Sequence, residues 1–404
     1  MKILRTGGVN PNTSRFLDLL ENEHITNIDF AILEQELPYF EDLKFVAKYY
    51  NKEHLLKKIN IIPIHQSKIQ KFMVRVGRML HSRILIALNY IDFLPLKCID
   101  YDFIWLGDND FDGSNHIFIA VKYFFKKSII IRSYKETRFI QKWDEGIMLK
   151  ESSVLIFPHD RYIPFFQKLY NMELQSYVIA DLDWRYSKLI EWVQSQNVEK
   201  LSESDKQPHV CILTGRALSD PSEERSGHRY YFIPLINELI KHGIVVHLHA
   251  KHIHPSNSEN AYLEIQKGTG MLHVEKALNL QPGSEDYLCL KAYDAGILHP
   301  STPIDDIKLA EFQKINIPNR IYEYFLAGVL PLSERNSTPA AEKLIQDNEF
   351  GIIYDSYQDL YEKLIMEIND PDKKKVPLNN NSFLDFSHEL IDAYKTVREV
   401  NNEK

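Results

Sequence analysis

The sequence predicts an α/β protein of two domains, each built on a parallel sheet with helices on both faces. The chain has 404 residues, which is too long for one ordinary core and suits two domains. Apolar runs of strand length alternate with helix-like segments, a pattern typical of parallel sheets. The alternation occurs twice, on either side of the polar stretch Val198–Pro208, which has the composition of a linker.

The first alternating series predicts a domain over residues 1–200. Each predicted strand is a short apolar run with polar or turn residues beside it. The strands are Met1–Arg5, Asn27–Leu33, Ile59–Ile64, Phe103–Leu106, Ser128–Arg132, Ser153–Phe157 and Tyr177–Ala180. Amphipathic spacing predicts helices over Thr13–Glu23 and Lys68–Tyr90.

The second series predicts a domain over residues 206–380. Its strands are Val210–Thr214, Ile244–Leu248, Met271–Val274, Ala295–Leu298, Val329–Leu332 and Gly351–Tyr354. Its predicted helices are His228–His242, Arg320–Ala327 and Gln358–Glu367, and the chain closes with a helix over Phe383–Asn401. Gly328 follows one of these helices directly, as a C-terminal cap does.

Composition narrows the class of protein. The formal net charge is −8, so the basic footprint of a nucleic-acid-binding protein is absent and no nucleic-acid partner is expected. Three well-separated cysteines, Cys98, Cys211 and Cys289, form neither a disulfide framework nor a zinc knuckle. The first residues do not resemble a signal peptide, and no apolar run reaches the length of about 18 residues that a membrane span needs. A cytoplasmic location is therefore expected.

The segment Ile317–Leu332 (IPNRIYEYFLAGVLPL) carries the most chemical information. Asn319 and Arg320 stand where a helix begins, and the backbone N–H groups and dipole of a helix start favour phosphate. Glu323 lies one turn further on, where a carboxylate can accept both hydrogen bonds of a ribose diol. On the residues alone, an amphipathic helix with Glu323 on its solvated face remains the alternative.

This segment resembles the nucleotide-binding helix of GT-B glycosyltransferases, in which a Pro and a polar residue precede a Glu-Tyr pair, Ala-Gly and an apolar strand. The segments YDAGILHP from Tyr293 and NEFGIIYDS up to Ser356 resemble two further parts of the same fold, in the same order. The resemblance implies two Rossmann-like domains facing across a cleft, with the acceptor on the first and the nucleotide sugar on the second. It also implies that the last segment, 383–404, packs back on the first domain.

The activity implied by the resemblance is transfer of a sugar from a nucleotide donor, UDP- or GDP-linked, to a glycan, lipid-linked or protein acceptor. No metal and no cofactor beyond the nucleotide sugar are expected. Glu323 is then the ribose-binding residue, and Asn319 and Arg320 hold the diphosphate. One position departs from the pattern, because retaining members of a large GT-B family carry a second Glu where this chain has Ile315. Retention of anomeric configuration is therefore not implied.

A second stretch, Thr214–Arg229 (TGRALSDPSEERSGHR), follows the first strand of the second domain and resembles the diphosphate-binding loop of the family. Gly215 would let the backbone approach phosphate, and Arg216 would neutralise charge on the leaving group. The candidates for a second cation are Arg225 and Arg229. A solvated loop of mixed charge is the alternative.

The first domain offers weaker candidates. Gly7 and Gly8 follow the first strand, where a glycine pair permits close approach to donor and acceptor. The stretch Gly107–His116 (GDNDFDGSNH) can supply a general base for an acceptor hydroxyl, with Asp112 and His116 as the named catalytic candidates. A polar loop with a helix N-cap is the alternative there. Metal-binding Asp pairs are also conceivable at Asp108–Asp110 or Asp181–Asp183, in a different glycosyltransferase class.

Three other features have structural explanations that are preferred to functional ones. Arg132 and His159 follow strands and would point at the interdomain cleft. The histidines of His242–His254 suggest zinc, but their spacing matches no compact ligand set, and a strand end with a polar loop is favoured. The basic and apolar helix at residues 68–90 allows a peripheral contact with the inner membrane face, or else has a solvated basic side.

The sequence leaves two other functions open. A GT-B sugar-nucleotide epimerase needs the donor site and no acceptor groove. A catalytically degenerate GT-B subunit would only bind a partner, and Ile315 in place of an acidic residue is its best support.

Overall fold

The computed structural model describes residues 1–6, 17, 19–34, 37, 39–65, 67–107, 114–134, 143–179, 192–193, 195–220, 230–254, 260–280, 284–298, 307–370 and 386–402. The chain divides into two compact units. The first consists of Met1–Tyr186 together with Asn381–Lys404, and the second of Ser187–Asn380.

The first unit is built on a seven-stranded sheet whose described pairs are all parallel. The strands are β1 (Lys2–Thr6), β2 (Asn27–Leu33), β3 (Ile59–Ile64), β4 (Phe103–Leu106), β5 (Ile130–Ser133), β6 (Val154–Phe157) and β7 (Ser176–Val178). Their order across the sheet is β3-β2-β1-β4-β5-β6-β7. The central strands are buried along almost their whole length, as a sheet covered on both faces requires.

Seven described helices belong to the first unit. They are α1 (Tyr39–Tyr49), α2 (Lys68–Met79), α3 (Arg83–Leu88), α4 (Ser114–Phe124), α5 (Trp143–Glu151), α6 (Tyr162–Tyr170) and, from the end of the chain, α15 (Phe386–Asn402). Short 3-10 turns lie at Glu53–Lys58, Ile91–Phe93 and Pro95–Cys98. Tyr394 of α15 packs against Phe103 of β4 with ring centroids 5.0 Å apart, which places the last helix on this unit.

The second unit has a six-stranded sheet, again parallel in every described pair. Its strands are β8 (His209–Leu218), β9 (Val245–His254), β10 (Leu272–Lys276), β11 (Ala295–Ile297), β12 (Leu330–Glu334) and β13 (Ile352–Tyr354), in the order β10-β9-β8-β11-β12-β13. Its described helices are α7 (Leu201–Asp205), α8 (Ile233–Lys241), α9 (Ala261–Thr269), α10 (Asp286–Lys291), α11 (Ile307–Ile315), α12 (Arg320–Ala327), α13 (Pro339–Asp347) and α14 (Tyr357–Asn369).

Both sheets have the same doubly wound topology. In each, the first three strands run outward to one edge, and the fourth strand pairs with the first on its other side. The direction of winding therefore reverses between β1 and β4 in the first unit and between β8 and β11 in the second. Ligands of such sheets bind beyond the carboxyl ends of the strands at this reversal. The α/β class with two parallel sheets is confirmed.

The long helix expected over Lys68–Tyr90 is wrong, because α2 and α3 are separate helices. His81 between them has a left-handed backbone with φ of 51°, which no continuous helix contains. The Ser82 hydroxyl then accepts a hydrogen bond from the Leu85 N–H at 3.4 Å and begins α3 as an N-cap.

The polar stretch Val198–Pro208, expected as a linker, contains α7 and packs on the second unit. The Ser202 hydroxyl donates to the buried Asp294 carboxylate at 2.6 Å. Lys200 donates to the Tyr293 carbonyl at 2.5 Å. Polar composition gave a misleading signal because these side chains find buried partners that the sequence alone does not reveal.

Candidate functional site

A pocket of about 270 Å³ opens in the second unit where β8 diverges from β11. This is the reversal point of the doubly wound sheet, the expected ligand position. The pocket is lined by the end of β8, the residue after β11, and the chain entering α12. The lining residues are Leu213, Thr214, Gly215, Tyr230, Phe232, Leu298, Gln313, Asn316, Pro318, Asn319 and Arg320.

Helix α12 is held against the sheet by one close contact. A Cβ atom on Gly296 of β11 would lie 2.3 Å from the Tyr324 ring, so only glycine lets α12 approach this strand. The Tyr324 hydroxyl, which is buried, donates to the Ile297 carbonyl at 3.3 Å. These contacts of Tyr324 with β11 fix the position of the first turn of α12 relative to the strand ends.

Arg320 ties the start of α12 to both strands that border the pocket. One guanidinium nitrogen donates to the Leu213 carbonyl at 2.8 Å, and another donates to the Leu298 carbonyl at 2.6 Å. The side chain predicted to hold diphosphate thus also connects β8 and β11 to the helix. Its positive charge stays at the pocket wall, since Arg320 is one of the lining residues.

Asn319 stands at the N-cap position of α12 and lines the pocket. The first turn of a helix presents backbone N–H groups that have no carbonyl partner within the helix, and its dipole is positive there. The predicted helix start at Asn319–Arg320 therefore lies at the pocket, as an anion-binding arrangement requires.

Gly215 of β8 also lines the pocket and leaves it open. A Cβ atom built on this glycine meets no atom of the described chain within 4 Å. The stretch after Thr214 was expected to be a loop, and that boundary is wrong, because β8 continues to Leu218. β8 extends beyond Thr214 because it pairs with β9 over this length, as far as Leu218 of β8 and His254 of β9.

Arg216 is therefore a strand residue rather than a loop residue. Its guanidinium carbon lies 4.6 Å from the centre of the Tyr230 ring, a cation–π contact, and Tyr230 lines the pocket. Arg216 itself is not among the lining residues. Arg216 therefore lies next to the pocket, with its guanidinium group packed on the ring of Tyr230, which is part of the pocket wall.

Glu323 lies on α12 four residues after Asn319, hence on the same side of the helix, but it is not among the residues that line the pocket. It is half-buried. Its Oε2 accepts a hydrogen bond of 2.8 Å from the hydroxyl of Tyr287, a buried residue of α10. The carboxylate is therefore oriented by a neighbouring helix. In the alternative, an amphipathic helix with Glu323 on its solvated face, this side chain would move freely in solvent.

Sequence reasoning did not single out several residues of the pocket, among them the polar side chains of Tyr230, Gln313 and Asn316. Gln313 and Asn316, both buried, bring amide groups from the end of α11 to the wall. Ile315, the position that departs from the family pattern, is not among the lining residues. The available signal was two amide side chains, Gln313 and Asn316, within five residues of Pro318.

Several predicted site residues lie outside the described residues. Among the named candidates these are Gly7, Gly8 and Asp112. The alternatives in the same position are Asp108, Asp110, Asp181, Asp183, Arg225 and Arg229.

His116 is described and lies in the interior of the first unit, in the first turn of α4. Its Nε2 is 3.5 Å from Oδ2 of Asp144, which is also buried and ion-paired with Arg78 at 3.0 Å. Burial opposes ionisation of Asp144, yet the nearby imidazole of His116 and the charge of Arg78 lower the pKa of this carboxyl. An ionised carboxylate at an imidazole is the arrangement that orients a general base. Asp144 was not foreseen.

Two buried arginines stand near the carboxyl ends of first-unit strands. Arg5 of β1 donates to the Thr6 carbonyl at 2.7 Å and stacks on Trp105, 4.3 Å from the ring centre. Arg132 of β5 is fully buried beside Tyr134. His159 pairs with Asp160 at 2.8 Å. Arg132 was singled out from the sequence, whereas Arg5, a charge inside an apolar run, was overlooked.

The histidines expected at a strand end lie largely inside β9 and form a buried layer with their neighbours. His247 shares a hydrogen bond with His209 at 2.9 Å and stacks on His273 at 4.7 Å. His249 Nδ1 donates to the Lys276 carbonyl at 2.7 Å, so its Nε2 accepts from the Tyr293 hydroxyl at 2.8 Å. Burial and the neighbouring His273 lower the pKa of His247 to about 3.

Among the described residues, no group of three or more His, Cys, Asp or Glu side chains is placed to hold a metal ion. Within the same residues, no helix combines the length and the apolar character needed to cross a membrane.

Sequence comparison does not place the chain in a family. No protein-family profile matches it, and no curated protein matches it.

Comparison with solved structures does find similar folds. The Anabaena protein HepE, solved in complex with UDP-glucose, is similar over 100% of both chains, with a TM-score of 0.53 and 11% identity. An E. coli trehalose-6-phosphate protein bound with UDP-2-fluoro glucose covers 98% of this chain and 96% of its own, with a TM-score of 0.55 and 11% identity. A glycosyltransferase from Rickettsia africae covers 98% of each chain, with a TM-score of 0.53 and 15% identity.

These likenesses extend over both units, and the fold they share is that of GT-B glycosyltransferases. The fold implied by Ile317–Leu332 and its two neighbouring segments is therefore confirmed.

Proposed function

We propose that this chain is a glycosyltransferase that uses a nucleoside-diphosphate sugar as its donor. The observation that carries the proposal is the pocket between Gly215 and the first turn of α12. It joins open backbone, a helix start and an arginine at the reversal point of a parallel sheet, which is a phosphate-binding arrangement. HepE, with the same fold, has been solved with UDP-glucose, with UDP, and with UDP and glucose.

In this proposal the diphosphate lies against Asn319 and Arg320. The backbone N–H groups of the α12 start donate to the phosphate oxygens, and the guanidinium charge at the pocket wall balances the charge of the leaving group. Charge develops on the leaving diphosphate as the glycosidic bond breaks. Fixed donors and fixed positive charge stabilise that state, because they need no reorganisation during the reaction.

Glu323 is proposed to accept the two hydrogen bonds of the ribose diol. Its other hydrogen bond, from Tyr287, fixes the rotamer before the nucleotide arrives. Preorganisation lowers the entropy that binding would otherwise cost. Arg216, stacked on Tyr230, adds positive charge next to the same pocket.

On the acceptor side, we propose that His116 takes the proton of the attacking hydroxyl. The support comes from the first unit alone, where the ionised Asp144 lies 3.5 Å from the imidazole and Arg78 anchors Asp144 in turn. Asp144 acts here as a positioning residue that stabilises the imidazolium once the proton is taken. A glycan, lipid-linked or protein hydroxyl fits this chemistry equally well.

Donor turnover tests the proposal. The protein is incubated with UDP-, GDP- and CMP-sugars, with water as the default acceptor, and release of free nucleotide is measured. We expect release from one donor class, loss of that release in Gly215→Val, and a lower rate but unchanged nucleotide affinity in His116→Gln. Interconversion of sugar nucleotides with no free nucleotide would instead identify an epimerase. No reaction with any donor would contradict the transferase assignment.

A further inference from the structure

The largest concentration of exposed apolar side chains lies on α2, α3 and the 3-10 turns that follow. Of the sixteen exposed large apolar side chains in the described part of the chain, eight fall between residues 69 and 94. They are Ile69, Phe72, Met79, Leu80, Ile84, Leu88, Ile91 and Leu94. A concentration of exposed apolar side chains in one stretch of packed helices indicates an interaction surface, whereas single exposed residues do not. We call these eight residues, together with the exposed basic residues Lys68, Lys71, Arg75 and Lys97, the basic–apolar face.

The charge of this region is opposite to that of the whole protein. Residues 67–98 contain six Lys and Arg residues and one acidic residue, Asp92, in a chain of net charge −8. On α2, helical spacing places Lys68, Phe72, Arg75 and Met79 on one side, and all four are exposed. Lys71 and Lys97 are exposed as well.

The inner side of α2 fixes this orientation. Val74 and Gly77 are buried, and a Cβ atom on Gly77 would lie 2.9 Å from Ile86 of α3, so the two helices approach closely. Arg78 is ion-paired with the buried Asp144 at 3.0 Å, and Arg83 of α3 with Glu151 at 2.6 Å. Because Val74, Gly77 and Arg78 make contacts on the inner side of α2, the helix cannot rotate to bury Phe72 and Met79.

Charge decides which partner fits. A second copy of the chain docked by a twofold axis would set the same Lys and Arg residues against each other, which like-charge repulsion opposes. An anionic lipid surface can bind the apolar side chains and the basic side chains of this face at the same time. The apolar side chains enter the acyl boundary, and the Lys and Arg side chains extend along them to the phosphates of the headgroups.

We propose that the basic–apolar face docks the protein on an anionic lipid bilayer, with α2 lying in the interfacial plane. This inference stands apart from the proposed donor chemistry, since no residue of the face lines the pocket of the second unit. Its test uses the full chain and two vesicle types, pure phosphatidylcholine and phosphatidylcholine mixed with phosphatidylglycerol. Co-sedimentation with the mixed vesicles should be about tenfold stronger or more, and should weaken at high salt.

Two sets of variants locate the contact. Combining Lys68→Glu, Lys71→Glu and Arg75→Glu should abolish the preference for phosphatidylglycerol, and Phe72→Ser with Met79→Ser should lower binding to the mixed vesicles at least severalfold. The matched controls are Lys267→Glu with Lys343→Glu for charge and Met366→Ser for apolar exposure, because these residues are exposed on the second unit. They should bind as the unmodified protein does.

Three results would overturn the proposal: no co-sedimentation with either vesicle type, equal binding to both types, or equal losses in the control variants. Concentration-dependent dimerisation that Phe72→Ser with Met79→Ser abolishes, without any vesicle binding, would assign the face to a second copy instead.

Discussion

The hydroxyl of Tyr287 donates a hydrogen bond of 2.8 Å to the Glu323 carboxylate, and this bond joins α10 to α12. Tyr287 is buried, so its ring has little freedom to release the carboxylate. Glu323 is therefore held in one orientation by a residue that the sequence did not single out.

Substituting Tyr287→Phe tests this orientation. The ring remains and the hydroxyl is lost, so Glu323 gains rotamers and binding must order it again. We expect nucleotide affinity to fall roughly tenfold or more, since a hydrogen bond to a charged group contributes about 1.5–3 kcal/mol and about 1.4 kcal/mol corresponds to a factor of ten. Titration calorimetry measures the effect. Tyr394→Phe, which also removes a hydroxyl facing a carboxylate but lies in the first unit, serves as the control and should leave affinity unchanged.

Gly215→Val should close the nucleotide pocket without disturbing the fold. The new side chain meets no atom of the described chain near its Cβ, and because Gly215 lines the pocket, we expect it to occupy space where phosphate is proposed to lie. Gly268 of α9 has the same open surroundings and is not among the pocket-lining residues. Gly268→Val should therefore keep wild-type affinity, and equal losses in both variants would show that Gly215 has no particular role.

Arg320→Met should lower stability as well as binding. Two backbone carbonyls at the strand ends lose their donor, and a buried group left unsatisfied costs about 1–3 kcal/mol. We expect the free energy of unfolding to drop by about 2–4 kcal/mol in urea titrations. Arg335→Met removes an exposed ion pair with Asp355 and should have no measurable effect. A stable Arg320→Met protein would show that the guanidinium does not connect the strands.

The histidine layer predicts a loss of stability in acid. The pKa of His247 is lowered to about 3, from burial first and then from His273, so the folded protein keeps this imidazole neutral. An unfolded chain protonates it near its ordinary pKa of about 6.5, and therefore binds more protons than the folded chain between these values. The free energy of unfolding should then fall as pH drops below about 6.5, with a slope approaching about 1.4 kcal/mol per pH unit for one proton.

Urea denaturation between pH 7 and pH 5 measures that slope, and His247→Leu should reduce it. Within the described residues, the charged and titratable groups near His247 include His209, His249, His273, Tyr293, Glu275 and Asp205. His24→Leu, at an exposed position, provides the comparison and should keep the slope of the unmodified protein. An unchanged slope in His247→Leu would assign the acid sensitivity to other groups.

The fold followed from the sequence because its signals are local and strong. Alternating apolar runs located strands such as Asn27–Leu33 without error, and Gly328 ended α12 where predicted, with φ of 66°. Predictions failed where tertiary partners decide the outcome. The left-handed His81 breaks a helix that periodicity shows as continuous, and the pairing with β9 keeps β8 extended beyond Thr214.

The candidate site was predictable in part. The start of α12 could be predicted because the residues that begin a helix, and those that bind phosphate there, lie within a few positions of one another. In the structure, Asn319, Arg320 and Gly215 line the same pocket. Tyr287 and Asp144 were not predictable, since each is 28 or more residues away from the group it orients and carries no motif. Only the packing of α10 on α12 and of α5 on α4 brings them into contact.

The most direct test of the nucleotide site is titration calorimetry of the full chain with UDP, GDP and CMP. We predict that one nucleoside diphosphate binds, and that Glu323→Ala markedly weakens this affinity while the free energy of unfolding stays within about 1 kcal/mol of the unmodified value. Absence of binding by all three nucleotides would contradict the glycosyltransferase assignment, and an unchanged affinity in Glu323→Ala would remove the ribose-binding role from that residue.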